Sequence, residues 1–366
     1  MKKLRVLVVE DSLTVRKYLV ERLQADPELE VVAEAGDGKL AIELCERLRP
    51  DVVTLDMMLP VMSGLSATEY IMAYCPTPIV IVSASTNRGE LFRTYEALAA
   101  GALDVIEKPL ADTSTPEWER NLVSTIKVAA RVKVITHPRG RLKGAQYPSR
   151  VEPILVAPAL PDSPETATRP YRCAAVGVST GGPQALAALL GALPVNFPLP
   201  LLIVMHIGHT FGGAFAEWLA DQSAVPVSVA VHGQPLPGYG EPGAVLAPPD
   251  RHLVVRGGHF RLTNEPEVHS CRPAVDVLFQ SVAQEIGPRA IGVLMTGMGR
   301  DGARGLLAMR SAGAMTLAQD EESSVVFGMP REAILLGAAQ RVLPLDELAP
   351  TLIALGAAGG PGARKS

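Results

Sequence analysis

Ser179 is the residue whose surroundings say most about chemistry. It stands in Gly177-Val-Ser179-Thr-Gly181, a G-x-S-x-G pattern, between an apolar run of strand length and a run with helical spacing. That is the context of a nucleophile elbow, where flanking glycines permit a tight turn that pushes the serine out. The helix that follows begins near Gly182 and Pro183, and its first N–H groups and positive dipole end suit a developing oxyanion. A serine hydroxyl needs a base, and the base needs an acid to orient it. His206 ends the next apolar run, and Asp301 lies in Thr296-Gly-Met-Gly-Arg-Asp301-Gly after a later one. The chemistry of such a set is acyl transfer. Its chain order, Ser then His then Asp, differs from the order in α/β-hydrolases, so that fold is not expected.

Two rival readings compete for this segment. A dinucleotide cradle wants G-x-G-x-x-G with an acid roughly 20 residues on, but no Asp or Glu occurs between Tyr171 and Ala216. His206 and His209 could instead ligate a metal, yet no third ligand lies near them in sequence and they do not form the HExxH helix. His209 reads as a loop histidine near the site. His232, His252, His259 and His269 read as surface or loop residues, with His269 at the pocket mouth.

A second constellation occupies the first third of the chain. Glu10 and Asp11 follow one apolar run, and Asp56 follows another. Ser83 ends the next, and Lys108 follows the last and precedes Pro109. Carboxylates gathered this way repel one another unless a hard cation such as Mg²⁺, which prefers oxygen ligands, neutralises them. The Lys108 ammonium and Ser83 hydroxyl can then hold the oxygens of a phosphoryl group on Asp56, which adds roughly −1.5 to −2 charge. One such residue alone reads as a solvated loop residue; five at the strand ends of one sheet do not.

The elements that must position these residues alternate strand and helix. Strands are expected at Leu4–Val9, Val31–Ala35, Val52–Leu55, Ile79–Ser83 and Ala102–Ile106, with helices at Leu13–Leu23 and Lys39–Leu48 and a closing helix over Pro116–Arg131. Continuous Val, Ile and Leu runs separated by helices predict a parallel sheet covered on both faces. Residues 132–170 are rich in Pro, Thr, Ser, Arg and Gly and read as a linker, with the more apolar Val151–Ala159 docking on a domain surface. The pattern resumes with strands at Ala174–Val178, Leu201–His206, Ala244–Ala247, His252–Val255 and Ala290–Thr296. Helices are expected at Pro183–Leu190, Gly212–Ala220, Pro273–Glu285 and Gly302–Ala312. The expected architecture is therefore α/β, two doubly wound parallel-sheet domains joined by a linker. In such sheets ligands gather at the C-terminal strand ends, which is where all the residues above fall.

The bulk numbers agree. A length of 366 residues suggests about two domains. A formal net charge of −4 and an aromatic content of 4% argue against a nucleic-acid partner. Cys45, Cys75, Cys173 and Cys271 form no CxxC pair, which fits a reducing, cytoplasmic setting. The apolar run at the start is too short for a secretory signal, and Leu199–Ile207 is too short to span a bilayer.

The residues also resemble known families. The runs LVVEDSLTVRKYL and DMMLPVMSG and the pair Lys108-Pro109 are similar to the two-component response-regulator receivers, over nearly all of Leu4–Leu110. The resemblance implies a flavodoxin-like receiver over residues 1–131 with Asp56 as phospho-acceptor. Glu10, Asp11, Asp56 and the Met58 carbonyl would serve Mg²⁺, Ser83 and Lys108 would bind the phosphoryl group, and Lys108-Pro109 would be cis. Val105 departs from the aromatic that many receivers carry there, which predicts weaker phospho-activation. The segments GVSTGGP, VMHIGHTFGGAFAEWL, PPDRHLVV, RPAVDVLF, LMTGMGRDGA and AQDEESSVVFGMPREAI resemble the catalytic domain of the chemotaxis protein-glutamate methylesterases, CheB type. This implies a Rossmann-like methylesterase domain over residues 171–358, followed by a disordered tail, 359–366. Ser179 would be the nucleophile, His206 the base and Asp301 its orienting carboxylate, with Thr180 and the Met298 N–H assisting the oxyanion and no cofactor for hydrolysis. The implied partners are methyl-accepting chemoreceptors as substrate, deamidated at glutamines as well as demethylated, and a histidine kinase of the CheA type as phosphodonor. An unphosphorylated receiver is expected to cover the hydrolase cleft. The competing expectations are the same chemistry in another receptor pathway, or a phospho-dependent adaptor without catalysis.

Overall fold

Runs of Val, Ile and Leu set both sheets. A computed structural model describes residues 2–84, 87–108, 115–132, 134 and 171–357. The chain divides into two compact units, Met1–Tyr147 and Pro148–Ser366. In the first, the order is β1 (Leu4–Val9), α1 (Leu13–Gln24), β2 (Leu29–Ala35), α2 (Gly38–Leu48), β3 (Val52–Leu55), α3 (Gly64–Tyr74), β4 (Ile79–Ser83), α4 (Arg88–Ala99), β5 (Asp104–Glu107) and α5 (Pro116–Ala129). The sheet runs β2-β1-β3-β4-β5, and every pairing is parallel. Strands β3 and β4 are buried at every position, as a sheet covered on both faces requires. Short polar side chains start the helices: Asp37, Ser63, Asn87 and Thr115 each accept a hydrogen bond from a first-turn N–H.

The second unit continues with β6 (Cys173–Val178), α6 (Gly182–Gly191), β7 (Leu201–Met205), α7 (His209–Asp221), β8 (Val227–Val229), β9 (Ala244–Leu246), β10 (His252–Arg256) and β11 (His259–Thr263). It closes with α8 (Val275–Glu285), β12 (Ala290–Leu294), α9 (Ala303–Ser311), β13 (Met315–Gln319), α10 (Met329–Leu335), β14 (Arg341–Leu343) and α11 (Leu345–Ala357). Seven strands form one parallel sheet in the order β14-β13-β12-β6-β7-β9-β8. Strands β10 and β11 make a separate antiparallel hairpin. Strands β6, β7 and β12 are buried throughout. Beneath the site, Val275, Leu278, Phe279 and Val282 of α8 pack with Leu294, Leu306 and Met309 in one core cluster.

Each sheet has a point where the connections leave in opposite directions, and ligands bind at the carboxyl ends of strands there. In the first sheet it lies between β1 and β3, in the second between β6 and β12.

Where the boundaries differ from the sequence expectation, specific hydrogen bonds account for it. Strand β12 ends at Leu294 rather than Thr296, because the Thr296 N–H turns to the Gln319 side chain at 2.8 Å. Helix α8 starts at Val275 rather than Pro273, with the Ala274 N–H drawn to His252 Nδ1 at 3.1 Å. That bond also corrects His252, expected to be a surface or loop residue. It is fully buried, and its Nε2–H donates to the Pro266 carbonyl at 3.1 Å. The Lys108-Pro109 bond, the tail and all of the linker except Val132 and Val134 lie outside the described residues.

Candidate active site and receiver pocket

In the second unit, register sets the serine and the histidine at neighbouring strand ends. Val178 pairs with Met205 across β6 and β7, so Ser179 and His206 are the next positions off two neighbouring strands, and the His206 N–H donates to the Val178 carbonyl at 3.1 Å. Neighbouring strands run about 4.8 Å apart, which keeps both side chains in one locality. The Ser179 turn is held from below: its N–H donates to the Thr296 carbonyl at 3.0 Å, and the Thr296 hydroxyl donates to the Thr180 carbonyl at 2.9 Å. Gly181 completes the turn with φ +77, and a Cβ there would stand 2.5 Å from the Val325 side chain, so both conformation and space call for glycine.

Asp301 is 2% exposed and fully engaged. Oδ2 accepts from the Val275 N–H at 2.7 Å and from His206 Nε2–H at 2.8 Å. Oδ1 accepts from the N–H groups of Asp276 and Gly302, both at 2.9 Å. Val275 and Asp276 open α8, and Gly302 caps α9, so two helix N-termini face one carboxylate, an arrangement that favours its negative charge. Burial alone would raise the Asp301 pKa; His206 and the backbone N–H groups overcome it and hold the carboxyl below its ordinary value. For His206 burial acts the other way, favouring the neutral ring, but Asp301 and the neighbouring Cys271 outweigh it and hold the imidazole above its ordinary value. In the neutral ring the one proton stays on Nε2 toward Asp301, and Nδ1 then presents its lone pair.

Several residues at this site had no role in the sequence reading. Cys271 Sγ lies 3.6 Å from His206 Nδ1. Asp276 Oδ1 accepts from the Gly305 N–H at 2.6 Å and Oδ2 from His269 Nε2 at 3.0 Å. The Gln319 amide ties Thr296 to Ser323. A cleft of about 490 Å³ is lined by His206, His269, Cys271, Met298, Arg300 and Asp301, among others. His269 thus sits at the cleft as expected. His209 does not line it: it opens α7, exposed, with Asp250 at 3.9 Å. Among the described residues His209 joins no cluster of three metal-binding side chains.

In the first unit, Glu10 and Asp56 are buried and share one cation: Lys108 Nζ lies 2.8 Å from Asp56 Oδ2 and 2.8 Å from Glu10 Oε2. Burial pushes both carboxyls above their ordinary values, although Lys108 pulls the other way. Donor atoms of Glu10, Asp11 and Asp56 lie within 4.8 Å of one another, and the buried Asp56 Oδ1 has no hydrogen-bond partner among the described residues. An all-oxygen set with an orphaned anionic atom fits a hard divalent cation. Ser83 is buried at the end of β4, and its carbonyl accepts from the Lys108 N–H at 3.0 Å. The Asp56 loop depends on Gly64, where a Cβ would stand 2.2 Å from the Asp56 carbonyl oxygen. Met58, in the same loop, is exposed, and Val105 on β5 is half-buried.

Residues 174–352 match the CheB methylesterase family, and residues 6–116 match the response regulator receiver domain. The protein-glutamate methylesterase/protein-glutamine glutaminase of Nitrosospira multiformis is 43% identical over 362 residues, 98% of each chain. An Anaeromyxobacter dehalogenans protein of the same description is 44% identical over 347 residues, 94% of this chain and 95% of that one. The crystal structure of the Thermotoga maritima CheB methylesterase catalytic domain is 34% identical, covers 50% of this chain and 98% of that one, and superposes with a TM-score of 0.48. With relatives this similar along almost its full length, the chain belongs to the CheB methylesterase family, in the form that joins a response regulator receiver to the methylesterase domain.

Proposed function

We propose that this protein hydrolyses glutamate γ-methyl esters, and deamidates glutamines, on chemoreceptor signalling helices, by acyl transfer through Ser179 under the control of phosphorylation at Asp56. The observation that carries this reading is the placement of Ser179 and His206 side by side off β6 and β7, with Asp301 2.8 Å behind the imidazole. The printed names of the full-length relatives supply the substrate class.

The reaction runs as two acyl transfers. His206 Nδ1 takes the Ser179 proton while Oγ attacks the ester carbonyl carbon. The oxyanion is met by the Met298 N–H, which has no other partner among the described residues, with help from Thr180. The imidazolium returns its proton to the leaving methoxide, or to the leaving amide nitrogen of glutamine, releasing methanol or ammonia. Nδ1 then takes a proton from water, the hydroxide attacks the acyl-enzyme, and the glutamate carboxylate leaves as Ser179 is reprotonated. Asp301 stays ionised throughout, fixing the ring and stabilising the imidazolium.

For control, Asp56 accepts a phosphoryl group from a histidine kinase of the CheA type. Glu10, Asp11, Asp56 and the Met58 carbonyl would hold Mg²⁺, which would neutralise charge around the acceptor carboxylate. Lys108 then exchanges its pairing with Asp56 for the phosphoryl oxygens, and Ser83 donates its hydroxyl to them. The four free cysteines and the lack of a membrane-crossing helix among the described residues suit a cytoplasmic setting. Sensory adaptation is the physiological outcome this chemistry serves.

One observation favours a second reading. Cys271 Sγ, 3.6 Å from His206 Nδ1, could be the nucleophile instead, since thiolate–imidazole pairs also perform acyl transfer. Ser179 is preferred because it alone sits on the turn after β6, beside the first N–H groups of α6.

The two readings separate by mutation. Ser179→Ala should lower the rate of methanol release from methylated receptor at least about 1,000-fold in a folded protein, and His206→Gln nearly as much. Cys271→Ala should stay within about tenfold of the parent. The opposite ranking of Ser179 and Cys271 would move the nucleophile to sulfur.

The raised His206 pKa fixes the sign of the pH dependence. Nδ1 acts as a base only when the ring is neutral, so activity is lost as pH falls through the raised value. The acid limb of kcat/KM should therefore lie above the ordinary imidazole value of 6.5, and Asp301→Asn should shift it downward as well as slowing the reaction. A limb at or below the ordinary value in the parent would contradict the assignment.

Phosphorylation should need a metal and hydrolysis should not. EDTA should block labelling of Asp56 by a small-molecule phosphodonor while sparing basal esterase activity, and Asp56→Asn should prevent activation by that donor. Loss of basal activity that zinc restores would point to a metallohydrolase instead.

A further inference from the structure

His206 and Cys271 carry a geometry that ester hydrolysis does not use. Sγ and Nδ1 face each other across 3.6 Å at the cleft, and both residues line it. In a tetrahedral zinc site, bonds of about 2.0–2.1 Å to nitrogen and about 2.3 Å to sulfur set those two donors about 3.5 Å apart. The distance here matches that span without any movement. The other face of the imidazole adds an independent match. Metal-bound histidines almost always donate their second ring N–H to a carboxylate or carbonyl, which fixes the tautomer and makes the ligating nitrogen more basic. His206 Nε2–H does so to Asp301 at 2.8 Å, and Asp301 is itself locked by three backbone N–H groups. His206, Cys271 and Asp301 also form one of the clusters of potential metal-binding side chains among the described residues.

We propose that His206 and Cys271 form a binding site for zinc, and that occupancy of this site switches ester hydrolysis off. The binding half stands on the His206–Cys271 geometry alone; the inhibitory half rests on the reading of His206 Nδ1 as the base for Ser179. Zinc bonded to Nδ1 occupies the lone pair that takes the serine proton. Cys271 loses its thiol proton, and a protonated His206 its Nδ1 proton, to solvent as the Zn–S and Zn–N bonds form, so binding tightens as pH rises. Two protein donors leave two positions for water, for which the cleft of about 490 Å³ has room, and such a site is reversible. The thiolate and imidazole select zinc and cadmium over magnesium, so the metal that serves the receiver carboxylates is not the one that acts here.

The test uses the full chain in excess Mg²⁺, so that the receiver carboxylates already hold a hard cation. Cobalt(II) is the spectroscopic probe, since only a cysteine ligand gives a thiolate-to-cobalt charge-transfer band in the near ultraviolet. Cys45, Cys75 and Cys173 are fully buried, which leaves Cys271 as the available thiol among the described residues. We expect the band in the parent and in Ser179→Ala, its displacement by zinc, and its loss in Cys271→Ser. In esterase assays zinc should inhibit the parent reversibly, with chelator restoring the rate. The concentration for half-inhibition should rise at least tenfold in Cys271→Ser, each protein measured against its own uninhibited rate. Absence of the band in the parent, or its persistence in Cys271→Ser, overturns the site and leaves the proposed hydrolase intact. A band together with full hydrolysis at saturating zinc overturns the inhibition, and with it the role of His206 as base.

Discussion

The hydrogen bond from His206 Nε2 to Asp301 is the interaction on which the catalytic unit turns. A carboxylate buried to 2% exposure is stable in ionised form only if its oxygens are met by donors. Here the donors are the N–H groups of Val275, Asp276 and Gly302 together with the imidazole. Meeting that demand dictates much of the surrounding fold. Helices α8 and α9 must both begin at the same point, and their close approach requires Gly305, where a Cβ would stand 2.6 Å from Phe279 Cβ. Asp276 meets the same demand one step out, with Gly305 and His269 as its partners.

The receiver pocket treats buried charge in the opposite way. Glu10 and Asp56 share Lys108, and among the described residues Asp56 Oδ1 has no partner. The Asp301 carboxylate has every oxygen met by donors within the fold. The receiver carboxylates are left short of positive charge, which is the condition under which a cation and a phosphoryl group can change the pocket. The two sites occupy the same place in two sheets, the switch point at the carboxyl ends of the strands, and differ in how completely their charges are compensated.

Ser179, His206 and Asp301 were legible in the sequence because each follows a run of apolar residues long enough to be a buried strand, and parallel topology does the rest. Glu10, Asp56, Ser83 and Lys108 were legible for the same reason. Cys271, Asp276 and Thr296 were not. They reach the site through loops and helix starts, where no periodicity marks direction, and their roles exist only once α8 is packed against β6 and β12. His252 was read as a surface or loop residue because burial of a histidine depends on two particular partners, Ala274 and Pro266, far from it in the chain. The edge strands β8 and β14, three residues each and partly exposed, carry too little apolar pattern to be seen.

The most direct test of the central interaction is the protonation state of each ring nitrogen in His206. Nitrogen-15 spectra of the full chain labelled at histidine, assigned by loss of the His206 signals in His206→Gln and recorded above the imidazole titration, distinguish a protonated nitrogen from one with a free lone pair. The account predicts a proton on Nε2, held by Asp301, and a lone pair on Nδ1. A proton on Nδ1 with a bare Nε2 would mean that Asp301 does not set the tautomer, and the base assigned to Ser179 would be facing the wrong way.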